Sequence, residues 1–445
     1  MTTAGRHAAL LAGLAALALG LPSCGPEPLP VPERVLLLVM DTTHAAHLGC
    51  YGGPEDLSPN VDRLATRGRR FATARSNHTW TLPSTVSLLT GQLQETHGVV
   101  TNQHVAGDDL GLLPESFQAA GYRTAGFVEM IYASGRHGLQ RGFDDYTYYP
   151  LVEGHHVASL VHDVRAWADA HRDERWFLYV HLRRPHSPYE GNALTERALD
   201  PDCIYADGQL DELLAHADAR IRGDIPEDQK AHVTHLYRGN VANADRTVGQ
   251  LLEPLLDDPD LLVALTSDHG EALGQRGTWG HGKGLEAECI DIPLIFAGPG
   301  VAPGVDTGPA CTVDMAPTLT ELCGLEPLPA GDGLSLAARL AGEAPDEERP
   351  LFLSSRYNVG KTPVQGVVAG RFKLVLEADG SSVLYDLEAD PGELRDVTDD
   401  HQVLAAKLRE RVEARRRAGQ GLAERDQATG LGDHEDELRA LGYVR

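Results

Sequence analysis

The chain has 445 residues, 42% of them apolar, which excludes a disordered protein and allows one large domain plus a smaller one. Its 65 acidic residues outnumber 39 basic ones for a formal net charge of -26. Nucleic acid is therefore excluded as a partner, and long polyanions are disfavoured even though salt screens the repulsion beyond about 8 Å. At the start of the chain, Arg6 and His7 precede an apolar segment from Ala8 to Leu21, the layout of an export signal and too short for a membrane span. Leu21-Pro22-Ser23-Cys24 resembles a bacterial lipobox. This predicts a signal peptide over 1–23, lipidation of Cys24 and a proline-rich tether over 24–33, with ordinary secretion as the alternative. The expected address is the bacterial cell envelope or periplasm, with membrane contact only through that lipid anchor. Cys50, Cys203, Cys289, Cys311 and Cys323 remain. They have no zinc-binding spacing, and a bridge between Cys311 and Cys323 is compatible with the sequence without following from it.

Apolar β-like runs recur at Val35 to Met40, Thr124 to Val128, Trp176 to Leu182, Leu261 to Leu265 and Ile292 to Ala297, separated by helix-patterned segments. That alternation predicts an α/β fold with a large, mostly parallel sheet flanked by helices. A first helix follows Ser58 as its cap, with Pro59 in its first turn and Gly68 at its end. Others are expected near Pro83, from Ala231 to Leu256 and from Asp314 to Leu322. Beyond residue 330 shorter β-like pieces, Val364 to Val368, Phe372 to Leu376 and Val383 to Leu387, precede a charged helix from His401 to Arg417. The expected division is a catalytic domain over 34–330, a smaller C-terminal α+β subdomain over 331–417 and a polar tail over 418–445.

Two strand-like runs end in carboxylates, one at Asp41-Thr42 and one at Ser267-Asp268-His269-Gly270-Glu271. In open α/β sheets ligands bind at the C-terminal strand ends. Two carboxylates brought together there raise one another's pKa unless a cation lies between them, so the pair implies a divalent metal.

The order of motifs resembles the sulfatase family of the alkaline phosphatase superfamily over roughly residues 34 to 415. It is carried by Asp41-Thr42-Thr43, His47 to Gly52, Ser58 to Ala65, Leu82-Pro83-Ser84, Gly142-Phe143-Asp144 and Pro185-His186-Ser187-Pro188-Tyr189. Further along the chain come Thr266 to Glu271, His281-Gly282-Lys283, and Leu384-Tyr385-Asp386-Leu387 with Asp390-Pro391-Gly392-Glu393. The resemblance implies metal ligands at Asp41, Thr42, Asp268 and His269, holding one divalent cation: calcium, magnesium, manganese or zinc. It also implies a small anionic ester as substrate, with His186 and Lys283 holding its oxygens and assisting the leaving group, and His281 as a third contact. A histidine near its ordinary pKa could protonate a leaving alkoxide.

The nucleophile position departs from the family. Sulfatases carry Cys or Ser-x-Pro-x-Arg there, whose first residue becomes formylglycine, whereas this chain reads Thr81-Leu82-Pro83-Ser84-Thr85. Threonine cannot yield that aldehyde, so no formylglycine is expected and Thr81 becomes the candidate nucleophile, at a helix N-terminus. Near Glu129 to Tyr132 the chain also lacks the family's lysine and histidine; Arg136 or Arg183 could substitute for the lost charge, the safer reading of both being surface residues. His44 and His47 read as loop positions near Asp41. The expected function is a metal-dependent hydrolase of sulfate or phosphate esters. The alternatives are an inactive sulfatase-fold binding protein of the cell envelope and a phosphoryl-group transferase.

Overall fold

The computed structural model describes residues 30–151, 157–189, 227–329, 331–344, 349–356, 363–419, 425–426 and 435–440. The signal segment, Cys24 and Cys203 lie outside them. Eight strands make the main sheet: β1 (Arg34–Met40), β2 (Arg69–Phe71), β3 (Arg123–Val128), β4 (Asp145–Tyr148), β5 (Trp176–Leu182), β6 (Leu261–Thr266), β7 (Leu294–Ala297) and β8 (Gly304–Asp306). Their spatial order is β8-β2-β7-β6-β1-β5-β3-β4. Only β7 is reversed, antiparallel to both β6 and β2. The single run expected from Ile292 to Ala297 is split at Pro293, which has no N–H to give a ladder. Asp291–Ile292 pairs instead with Ala74–Arg75 in a separate small sheet.

Strand alternation decides what each face carries. Val35, Leu37 and Val39 of β1 enter one apolar cluster with Phe177 and Tyr179 of β5 and Leu262 and Ala264 of β6. Leu36, Leu38 and Met40 enter the opposite cluster with Leu178, Val180, Val263 and Leu265. The first face is covered by α2 (Thr81–Thr90) and α5 (Met315–Leu322), the second by α1 (Pro59–Arg67), α3 (Val157–Ala170) and α4 (Glu227–Leu252). Continuing the alternation past the strand ends puts Asp41, His181 and Asp268 on the α2 side. The helices thus seal both faces, as near-continuous apolar strands require.

Ser58 does not cap α1 with its side chain. Its hydroxyl instead accepts the Gly49 N–H at 2.8 Å and donates to Asp62. The orphan amides of Asn60 and Val61 go to the Asp245 carboxylate of α4, at 3.0 and 2.8 Å. A carboxylate from a packed helix can serve where the local cap is otherwise engaged.

The C-terminal region is an antiparallel sheet, β9 (Leu351–Ser355), β10 (Val364–Ala369), β11 (Phe372–Leu376) and β12 (Ser382–Asp386), in sequence order. Helix α6 (Gln402–Ala418) packs on it through Ala405, Leu408 and Val412. Strand β9 was not expected from the sequence. Part of the polar tail also docks: Glu435–Ala440 is helical, Leu438 enters the core, and Glu437 accepts the Leu151 N–H at 2.9 Å and the Tyr148 hydroxyl.

Cys50, Cys289, Cys311 and Cys323 are all free thiols, so Cys311 and Cys323 are not bridged. The eight-residue helix α5 lies between them. A helix of that length rises about 12 Å, beyond disulfide reach. No helix among the described residues is long and apolar enough to cross a membrane.

Candidate functional site

Parallel pairing aligns the ends of β5, β1 and β6, with Val39 opposite both His181 and Thr266. The donor atoms of Asp41, His181 and Asp268 consequently lie within 4.8 Å of one another, all three residues fully buried. His181 Nε2 is 3.2 Å from Asp41 Oδ2, and the Tyr179 hydroxyl is 2.8 Å from His181 Nδ1. Asp268 Oδ1 accepts the backbone N–H groups of Thr42 (3.1 Å) and His269 (2.9 Å). Thr42 adopts a left-handed conformation, φ 53°, uncommon for a β-branched residue.

Asp41 Oδ1, Thr42 Oγ1 and Asp268 Oδ2 are buried without a hydrogen-bond partner. Burial, with the Asp268 carboxylate as neighbour, pushes the Asp41 carboxyl well above its ordinary range. Leaving such groups unpaired costs several kcal/mol per ion, and a divalent cation among them removes that cost. The residues present therefore fit a metal. Of the four expected ligand positions, Asp41, Thr42 and Asp268 come together with His181, which the sequence reading missed. The missed signal is an imidazole one residue from the end of the apolar run Trp176-Phe177-Leu178-Tyr179-Val180-His181-Leu182.

His269 is equally buried. Its Nδ1–H donates to the Gly270 carbonyl at 3.0 Å, so in the neutral ring Nε2 presents a lone pair. That atom lies 3.4 Å from Asp268 Oδ2 and 3.4 Å from Thr81 Oγ1. Two acceptors face each other across a gap where a cation would serve both. Thr81 is the first residue of α2, two residues earlier than expected from Pro83, and it is fully buried. The Ser84 side chain ties this first turn to the Asp268 carbonyl.

An outer layer adjoins His269. The His281 ring stacks at a tilt on His269, centroids 4.5 Å apart, and meets His186 and Trp80 edge-on at 5.2 Å each. Glu271, 1% exposed, lies 3.1 Å from His281 Nδ1; it closes the Thr266 to Glu271 motif, where the family resemblance implies no role for it. Lys283 is half-buried, its Nζ donating to the Trp279 carbonyl at 2.9 Å. His186 Nδ1–H donates to the Ser187 carbonyl at 2.6 Å.

Burial holds His186 down to about 3 and His281 well below its ordinary value. In the free site neither ring is solvated enough to carry charge readily. Arg183 is not a surface residue either. It is 5% exposed, its N–H donates to Glu129 Oε2 at 2.9 Å and its Nη1 to the His186 carbonyl at 3.3 Å. It follows β5 on the same parity as His181, which carries its side chain inward. Arg136 is half-buried. His47 packs edge-on against Tyr237 at 4.9 Å, and the His44 N–H donates to that tyrosine's hydroxyl at 3.1 Å. A cavity of ≈ 1050 Å³ lies between α3 and α4 on the other face of the sheet, with Arg34, Trp176 and Arg184 in its lining, and contains none of these residues.

A doubly covered, mostly parallel sheet with a buried carboxylate–imidazole cluster at its strand ends defines a metal-dependent α/β enzyme. The chain belongs to the sulfatase family, whose profile matches residues 33–325. It is 26% identical over 411 residues to the choline-sulfatase of Rhizobium meliloti, covering 78% of this chain and 79% of that one. It is 27% identical over 332 residues to human iduronate 2-sulfatase, 60% of each. Among solved structures it superposes on the phosphonate monoester hydrolase of Agrobacterium radiobacter with a TM-score of 0.74 at 22% identity, covering 87% and 96% of the two chains.

Proposed function

We propose that the chain hydrolyses small sulfate or phosphate esters with Thr81 as nucleophile. The observation that carries this reading is the Thr81 hydroxyl at the start of α2, 3.4 Å from His269 Nε2 and beside the Asp41–His181–Asp268 cluster. A cation bound there would neutralise the carboxylates and polarise the ester's oxygens. Asp41, Asp268, His181 and His269 would hold it, with Thr42 Oγ1 alongside.

Thr81 Oγ1 attacks sulfur or phosphorus in line, its proton passing toward an acceptor in the cluster, and the ester oxygen departs from the opposite side. The helix N-terminus steadies charge developing at Oγ1, an effect of about 0.3–1 kcal/mol at the surface and more where buried. Water then releases the anion from the threonine. With Nδ1–H spent on the Ser187 carbonyl and on Glu271 Oε1, His186 and His281 each donate to the anion only once Nε2 is protonated, a state that the bound anion favours. Lys283 and Arg183 supply the positive charge. Sulfatases and a phosphonate monoester hydrolase both figure among the chain's relatives and fold neighbours. The family resemblance favours sulfate, and the unmodified hydroxyl favours phosphate.

The test is a metal-supplemented assay on 4-nitrophenyl sulfate, 4-nitrophenyl phosphate, a phosphodiester and a phosphonate ester. Thr81→Ala is expected to abolish turnover while leaving metal binding intact. Equal turnover in both proteins removes Thr81 as nucleophile. Metal and anion binding without turnover of any ester supports the binding-protein alternative, and turnover that requires an acceptor other than water supports the transferase.

A further inference from the structure

The segment carrying His281 and Lys283 has little structure of its own, a two-residue pairing of Ala272–Leu273 with Trp279–Gly280. Its support comes from the C-terminal sheet. Leu285, 3% exposed, packs in one cluster with Leu351 and Leu353 of β9, Val368 of β10 and Val375 of β11. Gly366 of β10 permits that approach, since a Cβ there would lie 3.0 Å from Leu285 Cδ1.

A buried ion pair completes the attachment. Lys373 of β11, 1% exposed, donates through Nζ to the Leu285 carbonyl and to Glu393 Oε1. Glu393 Oε2 accepts the Ala287 N–H at 3.3 Å. Arg276, at the other end of the segment, donates to the Gly392 carbonyl at 2.7 Å. Among described non-glycine residues only Thr42, Arg276 and Glu393 have positive φ. One sits at the metal cluster, and the other two face each other across this attachment. A buried ion pair is weak evidence for stability, because apolar packing of equal volume does as well. What the pair adds is direction: both of its charges are spent on backbone groups two and four residues beyond Lys283.

We propose that Glu393 and Lys373 are positioning residues for Lys283, so that the Asp390-Pro391-Gly392-Glu393 turn of the C-terminal subdomain sets the anion-holding wall of the site. This rests on the proposed role of Lys283 as an anion contact. The experiment is calorimetric titration of the Mn²⁺-loaded chain with inorganic phosphate and with sulfate, on the unaltered protein, Glu393→Gln, Lys283→Ala and the double variant. Each single change is expected to weaken anion binding roughly tenfold to a hundredfold, the scale of a displacement of about 1 Å. The double variant should bind no more weakly than Lys283→Ala alone, and Mn²⁺ affinity should be unchanged throughout.

Additive losses, or a Glu393→Gln protein that binds as tightly as the unaltered chain, overturn the proposal, as does an unaltered chain that binds neither anion. Where Glu393→Gln does not fold, Arg276→Ala replaces it at the less buried tie. A severalfold loss that vanishes on the Lys283→Ala background supports the proposal, and an additive loss or none overturns it. Non-additive anion binding without ester turnover would remove the proposed hydrolysis and leave this inference standing. Turnover with additive binding losses does the reverse.

Discussion

The inner and outer halves of the site are built differently. Asp41, His181, Asp268 and His269 project from strand ends and Thr81 from the first turn of a helix, and all are fully buried. Their positions follow from strand register and side-chain alternation, a rigid framework on which small displacements are costly. His186, His281 and Lys283 stand on loops. The loop of the last two is tied at Leu285 and Ala287 to Lys373 and Glu393, about a hundred residues further along the chain. The inner half is suited to chemistry that tolerates little movement, and the outer half to binding that can change without disturbing the sheet.

That contrast can be broken at several points. Thr81→Ala has the largest expected effect, a loss of turnover of roughly a thousandfold or more with metal affinity retained; steady-state kinetics beside metal titration checks it. His181→Ala should weaken metal binding by at least about a hundredfold, since even groups that only orient a ligand are typically worth ten- to a hundredfold. Calorimetry with Mn²⁺ and Zn²⁺ would show this, and unchanged affinity would take His181 out of the inner half. Glu271→Gln leaves the metal cluster in place but weakens the acceptor that orients His281, so turnover should fall about tenfold with metal affinity unchanged. Lost metal affinity instead would place Glu271 with the inner group.

The smallest effect concerns pH and keeps site chemistry separate from unfolding. Burial holds His137 down to about 4, with the His104 carbonyl opposing that shift by accepting its Nδ1–H at 2.8 Å. Below an unfolded value near 6.5 the unfolded chain binds more protons than the folded one, so this residue's contribution to stability falls as pH drops from 6.5 toward 4. Thermal unfolding followed from pH 7 to pH 4 should show a declining midpoint, with a shallower slope in His137→Gln. An unchanged slope would assign the acid loss to other groups.

Much of the inner half was legible in the sequence because it obeys local rules. An apolar run that stops at Asp41 and another that stops at Asp268-His269 announce strand ends with donors, and the parallel pairing of β1 with β6 brings them together. His181 was not legible in the same way. It lies inside its strand, and only the placement of β5 beside β1 turns a histidine among apolar residues into a neighbour of Asp41. Arg183 was misread for the same reason, because exposure is decided by the neighbouring strand. The outer half was legible as motifs but not as a mechanism of support, since nothing near Lys283 in sequence names Lys373 or Glu393. The histidine pKa values escaped entirely, being set by burial that no spacing reports.

The proposed chemistry requires a cation among groups from three strand ends, within reach of the threonine hydroxyl. The most direct measurement is anomalous diffraction from crystals of the full chain grown with Mn²⁺ or Zn²⁺. A peak is expected within about 2.5 Å of Asp41 and Asp268 oxygens and of an imidazole nitrogen from His181 or His269, with Thr81 Oγ1 beside it. A peak elsewhere, or none at the cluster with the protein folded and saturated with metal, would contradict it.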